Sequence, residues 1–84
     1  MKAKLYSYRD ALVGFGPIMV ESNEKTAIRG FSYAINNATG TMNFSPKDYD
    51  LFYVGEFDTD TGVILAAPVA SLIVNGSSVL ADGD

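Results

Sequence analysis

The chain of 84 residues contains no cysteine and no histidine. Without cysteine there is no disulfide framework and no thiolate nucleophile, and without histidine there is no Ser-His or Cys-His dyad. The usual Cys and His zinc sites are excluded for the same reason. Carboxylates, lysines and tyrosines remain for acid-base chemistry, but they form no recognisable catalytic motif. We therefore expect a protein that is not an enzyme and that carries no cofactor.

Long hydrophobic runs are also missing. The longest apolar stretch is interrupted around Ala66-Ala67-Pro68 and is too short to span a bilayer. The amino-terminal residues lack the basic-then-apolar pattern of a secretion signal. The absence of cysteine suits a reducing compartment. These features favour an intracellular protein that does not contact a membrane.

The residues that are present can build a core, because 48% are hydrophobic and ten are Tyr or Phe. A chain of this length has room for one domain, and we expect it to span residues 1–76, followed by a flexible acidic tail at 77–84. Small domains without disulfides or metals often gain stability by association. A homo-oligomer is therefore expected.

Charge is divided unevenly along the chain. All six basic residues precede residue 48 and give that part a net charge of +3, whereas the remainder has no base and a net charge of -7. If the fold keeps the two halves apart, a weakly basic surface will lie beside an acidic one.

Alternation of polar and apolar residues, together with turn signals, predicts five strands and one helix. Pro17 marks the second strand as an edge strand. The predicted strands are 2–9, 17–20, 50–57, 62–66 and 70–74, the helix is 24–36, and a loop with one helical turn at Pro46 covers 41–48. The order β-β-α-β-β-β predicts an α+β domain with one helix packed on a mostly antiparallel sheet.

The helix is the best-defined of these elements. Ser22 or Asn23 supplies its cap, and Glu24 lies in the first turn, where the helix dipole favours an acid. Its apolar residues recur at helical spacing and predict one buried face. That face comprises Ala27, Ile28, Phe31, Ala34 and Ile35.

The segment from Tyr49 to Gly62 combines an aromatic strand with an acidic turn. Glu56, Asp58 and Asp60 supply carboxylates of the kind that hold Ca²⁺ or Mg²⁺, but the later ligands of a calcium loop are missing. Asp side chains also cap tight turns by accepting backbone N–H bonds. We therefore predict a hairpin turn here rather than a metal site.

The first strand combines basic and aromatic residues. Lys2, Lys4, Tyr6 and Tyr8 share one parity, so on a strand they share one face. Ammonium groups beside Tyr rings can contact phosphates and stack on unpaired bases. The candidate nucleic-acid-binding residues are Lys2, Lys4, Tyr6, Tyr8, Arg9, Lys25 and Arg29. The alternative is that both tyrosines belong to the core and both lysines are merely solvated.

The chain also resembles the small non-structural protein of gokushoviruses, phages of the microvirus group. The resemblance lies in four segments, spread over most of the chain in the expected order. They are Tyr8-Arg9-Asp10, Ala27 to Phe31 with Asn36-Asn37, Gly55 to Asp58 with the following Asp-Thr-Gly turn, and Val74 to Ser77. The resemblance implies a non-enzymatic protein associated with single-stranded DNA and replication, located in the cytoplasm of the bacterial host.

Two functional classes remain open at this point. The first is a protein that binds single-stranded DNA during viral genome replication or packaging, through the residues given above. The second is an interaction module whose acidic second half docks a basic partner, such as a viral or host replication protein. The net charge of -4 argues against strong DNA binding by a single copy. DNA binding would then depend on oligomerisation, which brings several weak sites together.

Overall fold

The computed structural model describes residues 1–81 and shows a four-stranded antiparallel sheet with one long helix on one face. The strands are β1 (Lys2–Asp10), β2 (Gly14–Glu21), β3 (Tyr49–Asp58) and β4 (Ile64–Asn75). The helices are α1 (Glu24–Asn37), α2 (Thr41–Phe44) and α3 (Gly76–Val79), with a 3₁₀ turn at Pro46–Asp48. The predicted α+β class is confirmed.

The strand order is β2-β1-β3-β4, so the first strand lies inside the sheet. Lys4 is opposite Glu21 on β2 and opposite Glu56 on β3. The basic and acidic halves of the sequence therefore lie side by side in the sheet, with β2 and β1 on one side and β3 and β4 on the other. The two halves meet along the pairing of β1 with β3, where Lys2 lies opposite Asp58.

Helix α1 begins with a capping box, as its sequence indicates. The side-chain oxygen of Asn23 accepts a hydrogen bond from the Thr26 backbone N–H at 2.9 Å, and the Thr26 hydroxyl oxygen accepts one from the Asn23 backbone at 3.4 Å. Ala27, Phe31 and Ile35 are buried on the face towards the sheet. The predicted cap and the predicted apolar face are both confirmed.

The core lies between α1 and the centre of the sheet. Its fully buried members are Tyr6, Ala27, Phe31, Ile35 and Leu51. Because Tyr6 and Leu51 face α1, the neighbouring residues Leu5 and Phe52 point to the other side of the sheet. One face of the sheet therefore carries the helix and the core, and no helix of the described residues lies on the opposite face.

The two last predicted strands form a single strand, β4, with a wide bulge. Tyr53 pairs with Ser71 and Gly55 pairs with Ala66, so residues 67–70 lie opposite a single residue of β3. Pro68 lies within this bulge and has no N–H to donate to a sheet. The proline thus interrupts the pairing without ending the strand.

The chain after β4 turns back onto α1. The amide of Asn36 donates to the Val79 carbonyl at 2.9 Å, and its oxygen accepts from the Ala81 backbone N–H at 2.6 Å. The first part of the predicted flexible tail is therefore held against the helix in this structure. Residues 82–84 of that tail lie outside the described residues.

Candidate nucleic-acid interface

The structure divides the seven predicted nucleic-acid-binding residues among three environments. Two are tyrosines of the core, one is an arginine on the helix-free face of the sheet, and four are exposed cations. The exposed cations are Lys2, Lys4, Lys25 and Arg29. The seven residues do not form one common surface.

Tyr6 and Tyr8 have structural positions. Tyr6 is 1% exposed and its ring lies edge-on to Tyr53, with 5.6 Å between the ring centroids. Tyr8 is half-buried, 5.0 Å from the ring of Phe31. Neither ring presents an open face to a base. Both tyrosines therefore belong to the core, which is the alternative given for them above. They share a face with the first-strand lysines, as their parity predicts, but α1 covers that part of the sheet.

The surroundings of these tyrosines keep them neutral. Burial raises the pKa of Tyr6, and the negative charges of Glu24 and Glu21 raise it further. Burial also raises the pKa of Tyr8, with an additional contribution from Glu21. The same two carboxylates make the helix side of the sheet less attractive to phosphates than its lysines alone suggest.

Arg9 lies on the helix-free face, opposite Asp50 in the sheet register. Its guanidinium Nη2 is 3.2 Å from the Asp50 carboxylate, and the guanidinium carbon lies 5.0 Å from the centre of the Phe52 ring. Asp50 is only 8% exposed. The charge of Arg9 is therefore neutralised within the fold, and its role here is structural.

The remaining cations include a row on the outer side of α1. Lys25 and Arg29 are exposed, and no ion pair involves either of them within residues 1–81. Tyr33 continues the row at the same four-residue spacing and is 70% exposed. Residues four apart lie on the same side of a helix. Sequence reasoning missed Tyr33, although the spacing that links Lys25 to Arg29 extends to it.

The lysines of β1 have acidic neighbours. Lys2 is opposite Asp58 and Lys4 is opposite Glu56 in the register, and the Lys4 ammonium lies 5.9 Å from the Tyr53 ring. Their surface is therefore mixed in charge. The row on α1 lies outside the sheet, so no acidic strand residue is paired opposite its two cations.

The acidic turn has the predicted hairpin geometry. The Asp58 carboxylate accepts hydrogen bonds from the backbone N–H groups of Asp60 at 2.8 Å and Thr61 at 3.3 Å. Gly62 follows with a φ of 78°, which a side chain would disfavour. The carboxylate that resembled a metal ligand in the sequence is thus a turn cap.

A cleft of about 250 Å³ lies at the other end of the sheet, between the β1–β2 turn and the α2 region. Asp10 and Asp48 contribute to its walls, and Phe44 beside them is 86% exposed. One carboxylate oxygen of Asp10 accepts a bond from the Leu12 N–H at 2.9 Å. This cleft combines two carboxylates with an aromatic ring, and the carboxylates would repel the phosphates of a DNA strand.

A protein-family model described as Phage ORF5 protein matches residues 3–79 of the chain. The chain belongs to the Phage ORF5 family. The match extends from β1 to the last residue of α3, so the family includes the whole fold described above. The phage origin implied by the resemblance is thereby confirmed. Searches of curated proteins and of solved structures found no match. No helix of this Phage ORF5 protein is long and apolar enough to cross a membrane within residues 1–81.

Proposed function

We propose that this Phage ORF5 protein is a non-enzymatic protein of a gokushovirus-type microvirus that binds single-stranded DNA during genome replication or packaging, in the cytoplasm of the bacterial host. The observation that carries the proposal is the row formed by Lys25, Arg29 and Tyr33 on the exposed side of α1. Two cations and one accessible aromatic ring are the groups that single-strand binders use for phosphates and bases.

The geometry of the row suits an extended single strand of DNA. Four helical residues rise about 6 Å, so the three side chains form a line of about 12 Å along the helix axis. Lys25 and Arg29 contact phosphates, and Tyr33 stacks on a base at the end of the line. Contacts of this type read the backbone and the flat surface of a base, so sequence preference is weak.

The affinity of one row is low. The net charge of the protein is -4, and Glu21 and Glu24 lie near the start of the helix. Each neutralised phosphate of a single strand contributes about -0.7 to the slope of log affinity against log salt. Two phosphate contacts therefore give a slope of about -1.4, and several copies on one strand are needed for firm binding.

Fluorescence anisotropy with a labelled oligothymidine at low salt tests the proposal. We expect Arg29→Gln to weaken binding and reduce the salt slope by about 0.7. Lys47→Gln is the matched control, because it removes the same charge from an exposed residue outside the row. Absence of binding at tens of micromolar protein contradicts the proposal, as does equal weakening by the two substitutions.

The acidic interaction module has less support from the geometry. Asp50 is paired with Arg9, Asp58 caps the turn before β4, and Glu56 lies opposite Lys4 in the sheet. Within residues 1–81, these three acids therefore face or contact other groups of the fold, which gives little support to docking of a basic viral or host replication protein.

A further inference from the structure

The face of the sheet opposite α1 is apolar, although no helix of residues 1–81 lies on it. The register places the outer side chains of all four strands on this face. We call it the apolar sheet face and define it by Phe15, Ile18, Val20, Phe52, Ile64 and Leu72. Five of these six residues are between 52% and 62% exposed, and Phe52 is half-buried.

The residue pattern of the strands is that of a sheet covered on both sides. A sheet with one solvated face alternates apolar and polar residues along each strand. In this sheet, Leu5 pairs with Val20 and Phe52 pairs with Leu72 on the side away from α1, while Tyr6 and Leu51 are buried beneath it. Both sides of the central strands are therefore apolar. On the side away from α1, Leu5 is already buried, and the exposed apolar side chains belong to the outer strands β2 and β4.

The apolar sheet face is large enough for a stable interface. Four strands spaced about 4.8 Å apart are roughly 20 Å wide, and strands of eight or nine residues are roughly 30 Å long. The face thus covers about 600 Å² as a flat rectangle, close to the area that each partner of a specific complex buries. Scattered exposed apolar residues do not reach this size.

The two edges of the sheet are poor sites for association. Edge strands that pair with another chain need a continuous row of free N–H and C=O groups. Pro17 interrupts β2, and Pro68 lies in the wide bulge of β4. Association through the broad face is consequently favoured over strand addition at an edge.

The charge of the apolar sheet face and the size of the core indicate that the partner is a second copy of the chain. Arg9 and Asp50 are the charged groups that the register places on this face, close to one end of the sheet, and they neutralise each other. A neutral apolar face offers no charge complementarity to a basic or acidic partner, but it is complementary to an identical face. Among residues 1–81, the core cluster beneath α1 has five fully buried members, so a chain of this size gains stability from more burial.

We propose that two copies of the chain pack against each other through the apolar sheet face and form a symmetric dimer. In this arrangement the sheets stack about 10 Å apart, with a shared core between them. The α1 helices then form the two outer layers. Ile18, Val20 and Leu72 become buried, and the Arg9–Asp50 pairs lie at the interface.

Sedimentation equilibrium without DNA tests the dimer independently of the proposed function. We expect the wild-type protein to have a mass of about 18 kDa, twice the 9.0 kDa of the chain, at micromolar concentration. Ile18→Glu and Leu72→Glu place a carboxylate on the apolar sheet face and should give monomers. Leu12→Glu is the matched control, because Leu12 is 85% exposed in the β1–β2 turn, outside this face.

A second measurement uses only the wild-type protein and so does not depend on the folding of a variant. In a mixture of isotope-labelled and unlabelled chains, isotope-filtered NOEs should connect methyl groups of Ile18, Val20 and Leu72 in different copies. A wild-type protein that remains at 9.0 kDa up to hundreds of micromolar overturns the proposal. So does a dimer in which these NOEs are absent, or one that Leu12→Glu dissociates as readily as Ile18→Glu.

Discussion

The side-chain amide of Asn75 lies 2.8 Å from the carboxylate of Asp50 and joins the end of β4 to the start of β3. The same nitrogen is 2.9 Å from the Lys47 carbonyl and 3.2 Å from the Tyr49 carbonyl. The Asn75 oxygen accepts from the Ser77 backbone N–H and thereby caps α3. One residue therefore connects the 3₁₀ turn, two strands and a helix, which gives a physical reason for its place in the family resemblance.

Asn75→Ala should destabilise the protein by about 2 kcal/mol, because it removes the amide contacts and leaves the buried Asp50 carboxylate with fewer donors. Denaturant unfolding followed by circular dichroism measures this loss. Asn37→Ala serves as the control, since within residues 1–81 the Asn37 amide donates only to the Tyr33 carbonyl at the exposed end of α1. Equal losses for both variants would contradict the role assigned to Asn75.

Gly76→Ala should cost more, about 3 kcal/mol or above, because the chain packs closely at this position. A Cβ atom there would overlap the Pro46 carbonyl oxygen and come within 2.8 Å of Cδ1 of Ile35. Gly40→Ala adds the same methyl group where nothing lies within 4 Å. We expect thermal unfolding to show a much lower Tm for the first variant and a small change for the second. If Gly76→Ala left the Tm unchanged, α3 would not pack against the 3₁₀ turn in solution.

Stability should fall at alkaline pH. Burial raises the pKa of Tyr6 and Tyr8 above the ordinary value of 10.0, so the folded state holds these protons more tightly than the unfolded chain. This contribution is fully present below pH 10.0 and is lost as the pH rises through the folded-state pKa values. Urea unfolding from pH 8 to pH 12 should show the decline.

Substituting Tyr6→Phe should make that decline shallower, because the variant has one fewer buried phenol to ionise. Tyr33→Phe is the control, since Tyr33 is 70% exposed and its substitution should leave the profile unchanged. A profile that is identical for wild type and Tyr6→Phe would contradict the link between burial and alkaline unfolding.

Local signals in the sequence were sufficient for several elements. The Asn23 cap, the apolar face of α1 and the Asp58 turn each depend on residues within a few positions of one another, so pattern and spacing predict them. The α+β class follows from the order of these elements.

Contacts between distant residues were beyond such reasoning. Parity places Tyr6 and Tyr8 on one face of β1, but it does not reveal that α1 covers that face. Arg9 is a candidate phosphate ligand in the sequence, and only the pairing of β1 with β3 brings Asp50 to it. Pro68 marks a break in a strand, yet an edge strand accommodates it as a bulge. The candidate site consequently keeps Lys25 and Arg29 on the exposed side of α1 and gains Tyr33.

The central position of β1 sets the order in which the sheet can form during synthesis. β1 is synthesised first, but Lys2 pairs with Asp58 on β3. Most of the chain must therefore be made before both neighbours of β1 are present. Long-range pairing of this kind slows folding and leaves one edge of β1 unpaired, and so open to aggregation, until β3 has been made. Charged residues within a strand discourage such association, and β1 carries three cations, Lys2, Lys4 and Arg9.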